Sequence, residues 1–174
     1  MSTAIRLSNF LKLSQADYRV VSHGHTQTAA DSAHAAFVPT SRVAKSVLLR
    51  DRLDGHFLIA LAPACNRVDL GRVREGIAAD PVIAREAELG AVFPDCEPGA
   101  VPGVGQAYQV EMIWDDELGE QPSVFLEAGD HRELIEIQRA EFHRLFDGFP
   151  HMAISQPRDD YLAHQAPEFG CQMH

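Results

Sequence analysis

Lysine is rare in this chain, and one of its lysines lies in an unusual place for a positive charge. Lys12 and Lys45 are the only lysines among 15 lysine and arginine residues. Lys45 lies in the apolar run V-A-K-S-V-L-L, where its charged group must reach a cleft or a partner to stay solvated. Its compact ammonium has three donors, which suit a phosphate, a carboxylate or an ester carbonyl. The run therefore indicates a binding or catalytic lysine; an edge-strand lysine that points to water is the alternative.

A second candidate is the stretch P-D-C-E-P-G-A-V-P-G-V-G, residues 94–105, which contains too many breakers for a helix or a strand. Between Gly99 and Gly105, glycine permits unusual backbone dihedrals while proline stiffens the path. Several backbone N–H groups can then point at one position and bind an oxyanion or a carboxylate. The alternative is a connecting loop without a ligand.

His131 is the third candidate. It follows Gly129-Asp130 at the end of a predicted strand. An imidazole there can donate a hydrogen bond or transfer a proton near neutral pH. The alternative is an ordinary surface histidine in a turn.

Metal and cofactor chemistry find little support in the sequence. The side chains that zinc prefers are present at His23, His25, His34, Cys65 and Cys96. However, the H-x-H pair can arise by chance among nine histidines, and no second close pair of ligands accompanies it. The sequence has no G-x-S-x-G, no P-loop and no G-x-G-x-x-G after a strand. A dyad of Lys45 and Ser46 is disfavoured because adjacent strand residues point to opposite faces. We expect neither a metal nor a cofactor.

The hydrophobic pattern predicts the elements that position these residues. Arg42–Arg50 and the run H-F-L-I-A-L-A flank an Asp54-Gly55 turn, which predicts a β-hairpin with Lys45 on its first strand. The other predicted strands cover Tyr18–Ser22, Pro81–Ile83, Tyr108–Trp114, Ser123–Ala128 and Glu133–Ile137. The predicted helices cover Ser2–Leu13, a Thr28-capped segment ending before Pro39, Val68–Ile77, Ala84–Phe93 and Arg139–Phe146. This order predicts an α/β or α+β domain around a mixed sheet.

Length and composition predict one domain, because 174 residues with 45% hydrophobic content can bury a real core. We place the domain at residues 1–148 and a docked or partly flexible C-terminal tail at 149–174, where no periodicity is visible. No stretch has the length and apolarity of a signal peptide or a membrane span. Three cysteines without C-x-x-C spacing do not indicate a disulfide framework. We therefore expect a soluble cytoplasmic protein with no membrane partner.

The formal charge of −10 limits the nucleic-acid contacts that this chain can make. A protein that covers duplex phosphates usually needs a basic face. The charge, together with the absence of a helix-turn-helix pattern or a basic patch, argues against a DNA-binding regulator. A small pocket for one or two nucleotides at the end of a strand is still compatible with it.

Five short motifs between Val20 and Phe146 occur in the order and spacing of a known family. They are H-T-Q-T-A-A-D-S-A, V-A-K-S-V-L-L, A-P-A-C-N-R-V-D-L, F-P-D-C-E-P-G-A-V-P-G-V-G and E-A-G-D-H. Together they resemble the YbaK/ProX family and the editing domain inserted in bacterial prolyl-tRNA synthetases. The loop differs from the family pattern G-x-x-x-P, because Gly99 and Pro102 form G-x-x-P with Pro98 in the place of the earlier glycine.

The resemblance implies a curved mixed sheet surrounded by helices and a reaction that hydrolyses the ester between a wrong amino acid and its tRNA. It makes Lys45 the key functional residue, and it implies that the position of His131 helps to select the amino acid. The residues that it assigns to substrate binding are Gly99, Ala100, Val101, Pro102, Gly129 and His131. The implied partner is the acceptor end of an aminoacyl-tRNA, with an aminoacyl-tRNA synthetase as a second candidate. A non-catalytic module that binds an amino acid or an aminoacyl end is the alternative.

Overall fold

The computed structural model describes residues 3–159, and within them the chain forms six α-helices and ten strands. The helices are α1 (Ile5–Leu13), α2 (Ala29–Ala35), α3 (Leu70–Gly76), α4 (Glu86–Val92), α5 (Asp116–Gly119) and α6 (Arg139–Phe146). The strands are β1 (Arg19–Ser22), β2 (Val43–Asp51), β3 (Phe57–Pro63), β4 (Asn66–Val68), β5 (Pro81–Ile83), β6 (Glu111–Asp115), β7 (Ser123–Glu127), β8 (Glu133–Gln138), β9 (His151–Met152) and β10 (Ser155–Pro157). None of these helices is long and apolar enough to cross a membrane.

The predicted hairpin is confirmed. Strands β2 and β3 pair antiparallel from Ala44 opposite Pro63 to Arg50 opposite Phe57. Gly55 closes the turn with a φ of 81°, a left-handed conformation that favours glycine. The predicted helix cap is also confirmed, because the Thr28 side chain accepts a hydrogen bond from the backbone N–H of Asp31 at the start of α2.

The main sheet is mixed, and the predicted fold class is confirmed. Its strand order is β1-β8-β7-β2-β3-β6-β9, with β5 paired to β2 outside this path. Strand β2 runs parallel to β7, and β3 runs parallel to β6, while the β2–β3 and β7–β8 pairs are antiparallel. The pairing makes β2 a central strand, so the edge-strand interpretation of Lys45 is wrong.

One edge of β2 is shared between two partners. At its start β2 pairs with β7 through Val43 and Ala44, and at its end it pairs with β5 from Leu49 onward. Residues 45–48 lie between the two ladders. The sheet therefore opens beside Lys45, which lets a central-strand lysine reach a cavity instead of being fully buried.

The two faces of the sheet near this opening pack against different layers. Val43 and Phe125 pack with Ala33 of α2, whereas Ala44 and Leu126 belong to the main core on the other face. Side chains alternate along a strand, so the next residue on each strand returns to the α2 side. Lys45 therefore shares a face of the sheet with α2.

The sequence patterns did not predict the short elements β4, α5, β9 and β10. Two of them lie beyond residue 148, where β9 pairs with β6 and β10 pairs with β4. Between them Ile154 is fully buried. The division at residue 148 stays a prediction, and residues 160–174 of the predicted tail lie outside the described part of the chain.

Candidate active site

The ammonium group of Lys45 is held at the opening of the sheet. Its Nζ donates a hydrogen bond of 2.6 Å to the backbone carbonyl of Asn66, at the start of β4. Asn66 is itself fixed, because its Nδ2 donates to Glu117 Oε2 and to Ser155 Oγ, each at 3.0 Å. The lysine is half-buried. The fold therefore holds the charged group of Lys45 in one position.

Lys45 lines a cavity of about 200 Å³. Four segments meet there: the start of α2, the opened part of β2, the glycine- and proline-rich loop and the β7–β8 turn. The lining residues are Gln27, Thr28, Ala29, Ala44, Lys45, Ser46, Gly99, Val101, Glu127 and His131. Pockets for drug-sized ligands are usually about 300–1,000 Å³. This cavity suits a smaller group.

His131 forms one wall of the cavity. Its Nε2 donates a hydrogen bond to the carbonyl of Pro98 at 2.8 Å, which joins the β7–β8 turn to the loop. Its backbone has a φ of 56°, and its N–H donates to Glu127 Oε1 at 3.1 Å. The residue is only 8% exposed. The surface-histidine interpretation is therefore wrong.

Two of the three backbone N–H groups at residues 99–101 donate hydrogen bonds within the loop itself. The N–H of Ala100 donates to the carbonyl of Glu97, and that of Val101 donates to the carbonyl of Gly99, both at 3.0 Å. The N–H of Gly99 makes no hydrogen bond with any described residue. Gly99 has a φ of 81°, and a Cβ added there would lie 3.8 Å from Nε2 of His131. Of these three amides, Gly99 offers the donor that can serve a ligand.

The structure brings together four of the predicted site residues: Lys45, Gly99, Val101 and His131. The other three are absent from the described residues that line this cavity: Ala100, Pro102 and Gly129. Ala100 and Pro102, the two of these that lie in the loop, are buried. A Cβ added to Gly129 would lie 2.8 Å from Ala4 Cβ and 3.0 Å from Cys96 Sγ, so this glycine allows a close approach of α1 and the loop.

The sequence analysis missed several residues that line the cavity, of which Gln27, Thr28 and Glu127 are polar. Glu127 Oε1 accepts hydrogen bonds from the backbone N–H groups of residues 129, 130 and 131 at 3.0, 3.2 and 3.1 Å. Its position before Gly129-Asp130, in the motif E-A-G-D-H, was the signal that could have identified it. Thr28 was recognised only as a helix cap.

A larger cavity of about 450 Å³ lies on the other side of the loop, against α4. It shares Gly99 and Val101 with the first cavity, and its charged lining residues are Glu86 and Glu97. Cys96 also lines it and contacts the Tyr108 hydroxyl at 3.3 Å. Burial raises the pKa of the Cys96 thiol to about 12, so this thiol is a poor nucleophile near neutral pH.

The histidines and cysteines considered as zinc ligands do not assemble into a metal site within residues 3–159. No group of three or more His, Cys, Asp or Glu side chains in this part of the chain could hold a metal ion. His25 instead contacts Glu97 Oε2 at 3.1 Å, and its ring packs edge-on against His131 with 5.5 Å between centroids.

Comparison with known families identifies the class to which this site belongs. Residues 23–145 match the family model of the aminoacyl-tRNA editing domain. The match covers more than two thirds of the chain and includes Lys45, the loop and the β7–β8 turn. The chain therefore belongs to the aminoacyl-tRNA editing domain family. No curated protein matched the chain.

Solved structures share this fold at low sequence identity. The hypothetical protein APE2540 has a TM-score of 0.76 and 20% identity, over 87% of this chain and 99% of its own. A scaffold from a study of epitope backbone grafting has a TM-score of 0.74 and 22% identity, over 88% and 96%. A proposed trans-editing enzyme for prolyl tRNA synthetase has a TM-score of 0.73 and 22% identity, over 87% and 95%. At these identities the likeness establishes the fold alone.

Proposed function

We propose that the protein is an aminoacyl-tRNA deacylase that acts in trans and hydrolyses the ester between a mischarged amino acid and its tRNA. The observation that carries this proposal is the meeting of Lys45, Gly99 and His131 in one small cavity. Membership of the aminoacyl-tRNA editing domain family supports it, since the three residues lie inside the matched segment.

Ester hydrolysis requires a positioned water or substrate hydroxyl and donors for the charge that develops on the carbonyl oxygen. Lys45 supplies a fixed ammonium that orients the aminoacyl-adenosine end electrostatically. The N–H of Gly99 is the backbone donor suited to the carbonyl oxygen. A neighbouring ribose hydroxyl of the substrate helps to activate water, so no side-chain nucleophile is needed.

We do not propose Ser46 as a nucleophile. It lines the cavity, but a Cβ added to Gly103 would lie 3.3 Å from its hydroxyl, beside Leu61 and Leu126 of the main core. The hydroxyl therefore lies toward the core face, whereas Lys45 lies toward α2. The two side chains are not arranged as a dyad.

The proposal includes size selection by the cavity. A cavity of about 200 Å³ with His131 as one wall fits a small aminoacyl group better than a large one. An editing site of this kind supplements the weak discrimination that binding alone gives between similar amino acids. His131 forms the wall on which this selection depends.

The test is a deacylation assay with tRNAs that carry alanine, cysteine, serine or proline. We expect the purified protein to cleave at least one of these esters well above the spontaneous rate. Tight binding without cleavage of any ester would assign the chain to the alternative class of non-catalytic binding modules. Absence of both binding and cleavage would contradict the proposal altogether.

A further inference from the structure

Glu127 has a position in the fold that mirrors that of Lys45. The parallel ladder between β2 and β7 ends with the pair Ala44 and Leu126. Lys45 and Glu127 are the next residues on these two strands, and both line the 200 Å³ cavity. By the alternation of side chains, both lie on the α2 side of the sheet. The cavity therefore has a cationic and an anionic wall on adjacent strands.

The carboxylate of Glu127 is oriented before any ligand binds. Three backbone N–H groups of the β7–β8 turn donate to Oε1. Oε2 makes no hydrogen bond with any residue of the described chain. Binding of a ligand to Oε2 has no entropic cost for ordering the Glu127 side chain, because the turn has already fixed it.

We propose that Oε2 of Glu127 binds the α-ammonium group of the aminoacyl ester; this inference rests on the proposed deacylase function. The α-ammonium is the charge that every aminoacyl ester carries beside its carbonyl. A charge-assisted hydrogen bond to a fixed carboxylate suits it, while Lys45 repels it and attracts the electron-rich end of the ester. The two walls together orient the ester along one direction.

The substrate class follows from this subsite. The protein acts on esters whose α-amino group is free and charged, and it discriminates against esters in which that group is acylated or replaced. A lactyl ester is the sharpest probe, because it has nearly the same size as an alanyl ester and carries a hydroxyl in place of the ammonium. It removes the charge without the added bulk of an N-acetyl group.

The experiment measures kcat/KM for alanyl-tRNA and for lactyl-tRNA, each divided by its own spontaneous rate of hydrolysis. That division removes the intrinsic activation of the ester by the ammonium. For the wild-type protein we expect a preference of about 10- to 100-fold for the alanyl ester, the factor typical of a hydrogen bond to a charged group. An equal rate enhancement for the two esters would overturn the inference about Glu127 and leave the deacylase proposal standing.

Glu127→Gln keeps an oxygen for the three backbone donors and removes the charge. We expect this variant to lose most of the alanyl-over-lactyl preference, whereas Glu97→Gln, a control at the larger cavity, keeps it. An equal loss of rate on both esters in Glu127→Gln would show a structural role only. If Glu127→Gln does not fold, the alanyl-over-lactyl preference of the wild-type protein alone tests the inference. If the wild-type protein cleaves no aminoacyl ester of the whole panel, the proposed function itself fails.

Discussion

The two cavities on either side of the Gly99–Val101 loop differ in size and in charge. The larger one, about 450 Å³ against α4, has Glu86 and Glu97 as its charged lining residues. The smaller one, about 200 Å³ at the opening of the sheet, has Lys45 and Glu127 on adjacent strands. Only the smaller of these two cavities has charged lining residues of both signs, which match the two ends of a polar ester. This difference in charge, and not the volume, is the reason that we place the proposed site in the smaller cavity.

The largest expected effect is that of Lys45→Ala. This variant removes the cation of the smaller cavity, so we expect kcat/KM for the preferred ester to fall by about 100-fold or more. The melting temperature is expected to move by less than about 5 °C, because a half-buried lysine contributes little to core packing. Lys45→Arg is also expected to be impaired, since a planar guanidinium does not replace a compact ammonium.

The matched control for this prediction is Lys12→Ala. Lys12 is the other lysine of the chain and is exposed on α1. We expect this variant to keep the wild-type rate in the same assay. If Lys45→Ala keeps most of the activity, the charge of Lys45 is not needed for the reaction, and the smaller cavity is not identified as the site by its charges.

A pair of cavity-filling variants tests the two cavities against each other. Ala29→Phe places a ring in the smaller cavity, and Ala87→Phe places one in the larger cavity, each on a helix. We expect the first to lower kcat/KM by about 30-fold, or about 2 kcal/mol, and the second to change it by less than about twofold. The reverse order of effects would move the site to the larger cavity.

His131→Ala is expected to change which ester is preferred more than it changes the overall rate. Removing the ring enlarges the cavity, so relative rates for alanyl, cysteinyl, seryl and prolyl esters should shift by about 10-fold, within the range of about 1–3 kcal/mol for one altered contact. His131→Asn is the companion variant, because asparagine tolerates the left-handed φ of 56° better than alanine. A uniform large loss on all four esters would make His131 part of the catalytic apparatus.

The smallest expected effect is the dependence of tRNA binding on salt. A protein with a formal charge of −10 and a small cavity should contact two or three phosphates near the acceptor end. Each single-stranded contact contributes about 0.7 to the log–log slope, so we expect a slope of about −1.5 to −2. A slope that corresponds to about eight contacts would indicate a basic face outside the cavity.

The sequence predicted the elements that depend on local patterns. The hairpin of β2 and β3, the Thr28 cap and helix α6 are each specified by residues that are close in the chain. Lys45 was predicted to be a site residue because a charge interrupts an apolar strand. The resemblance to a family of editing domains then joined this lysine to the loop and to His131, which are 54 and 86 positions away by residue number.

The rest depends on contacts that no local pattern specifies. The opening beside Lys45 exists because β2 exchanges β7 for β5 as its partner, and these strands are about 40 residues apart in the chain. The burial of His131 depends on the Pro98 carbonyl, 33 residues away. Glu127 is different, because its three backbone donors lie within four residues of it, and the motif E-A-G-D-H was a local signal that the strand pattern did not use. Strands β9 and β10 have two and three residues, too few for a visible alternation.

The central claim is that the smaller cavity binds the aminoacyl end, and NMR with a stable analogue tests it most directly. The probe is 3′-alanylamino-3′-deoxyadenosine, in which an amide replaces the ester so that the ligand survives the titration. We predict that the largest amide shifts fall on Thr28, Lys45, Gly99 and His131, with small shifts along α4. Largest shifts at Ala87 and Gly90 of α4, with Thr28 and Lys45 unmoved, would contradict the claim.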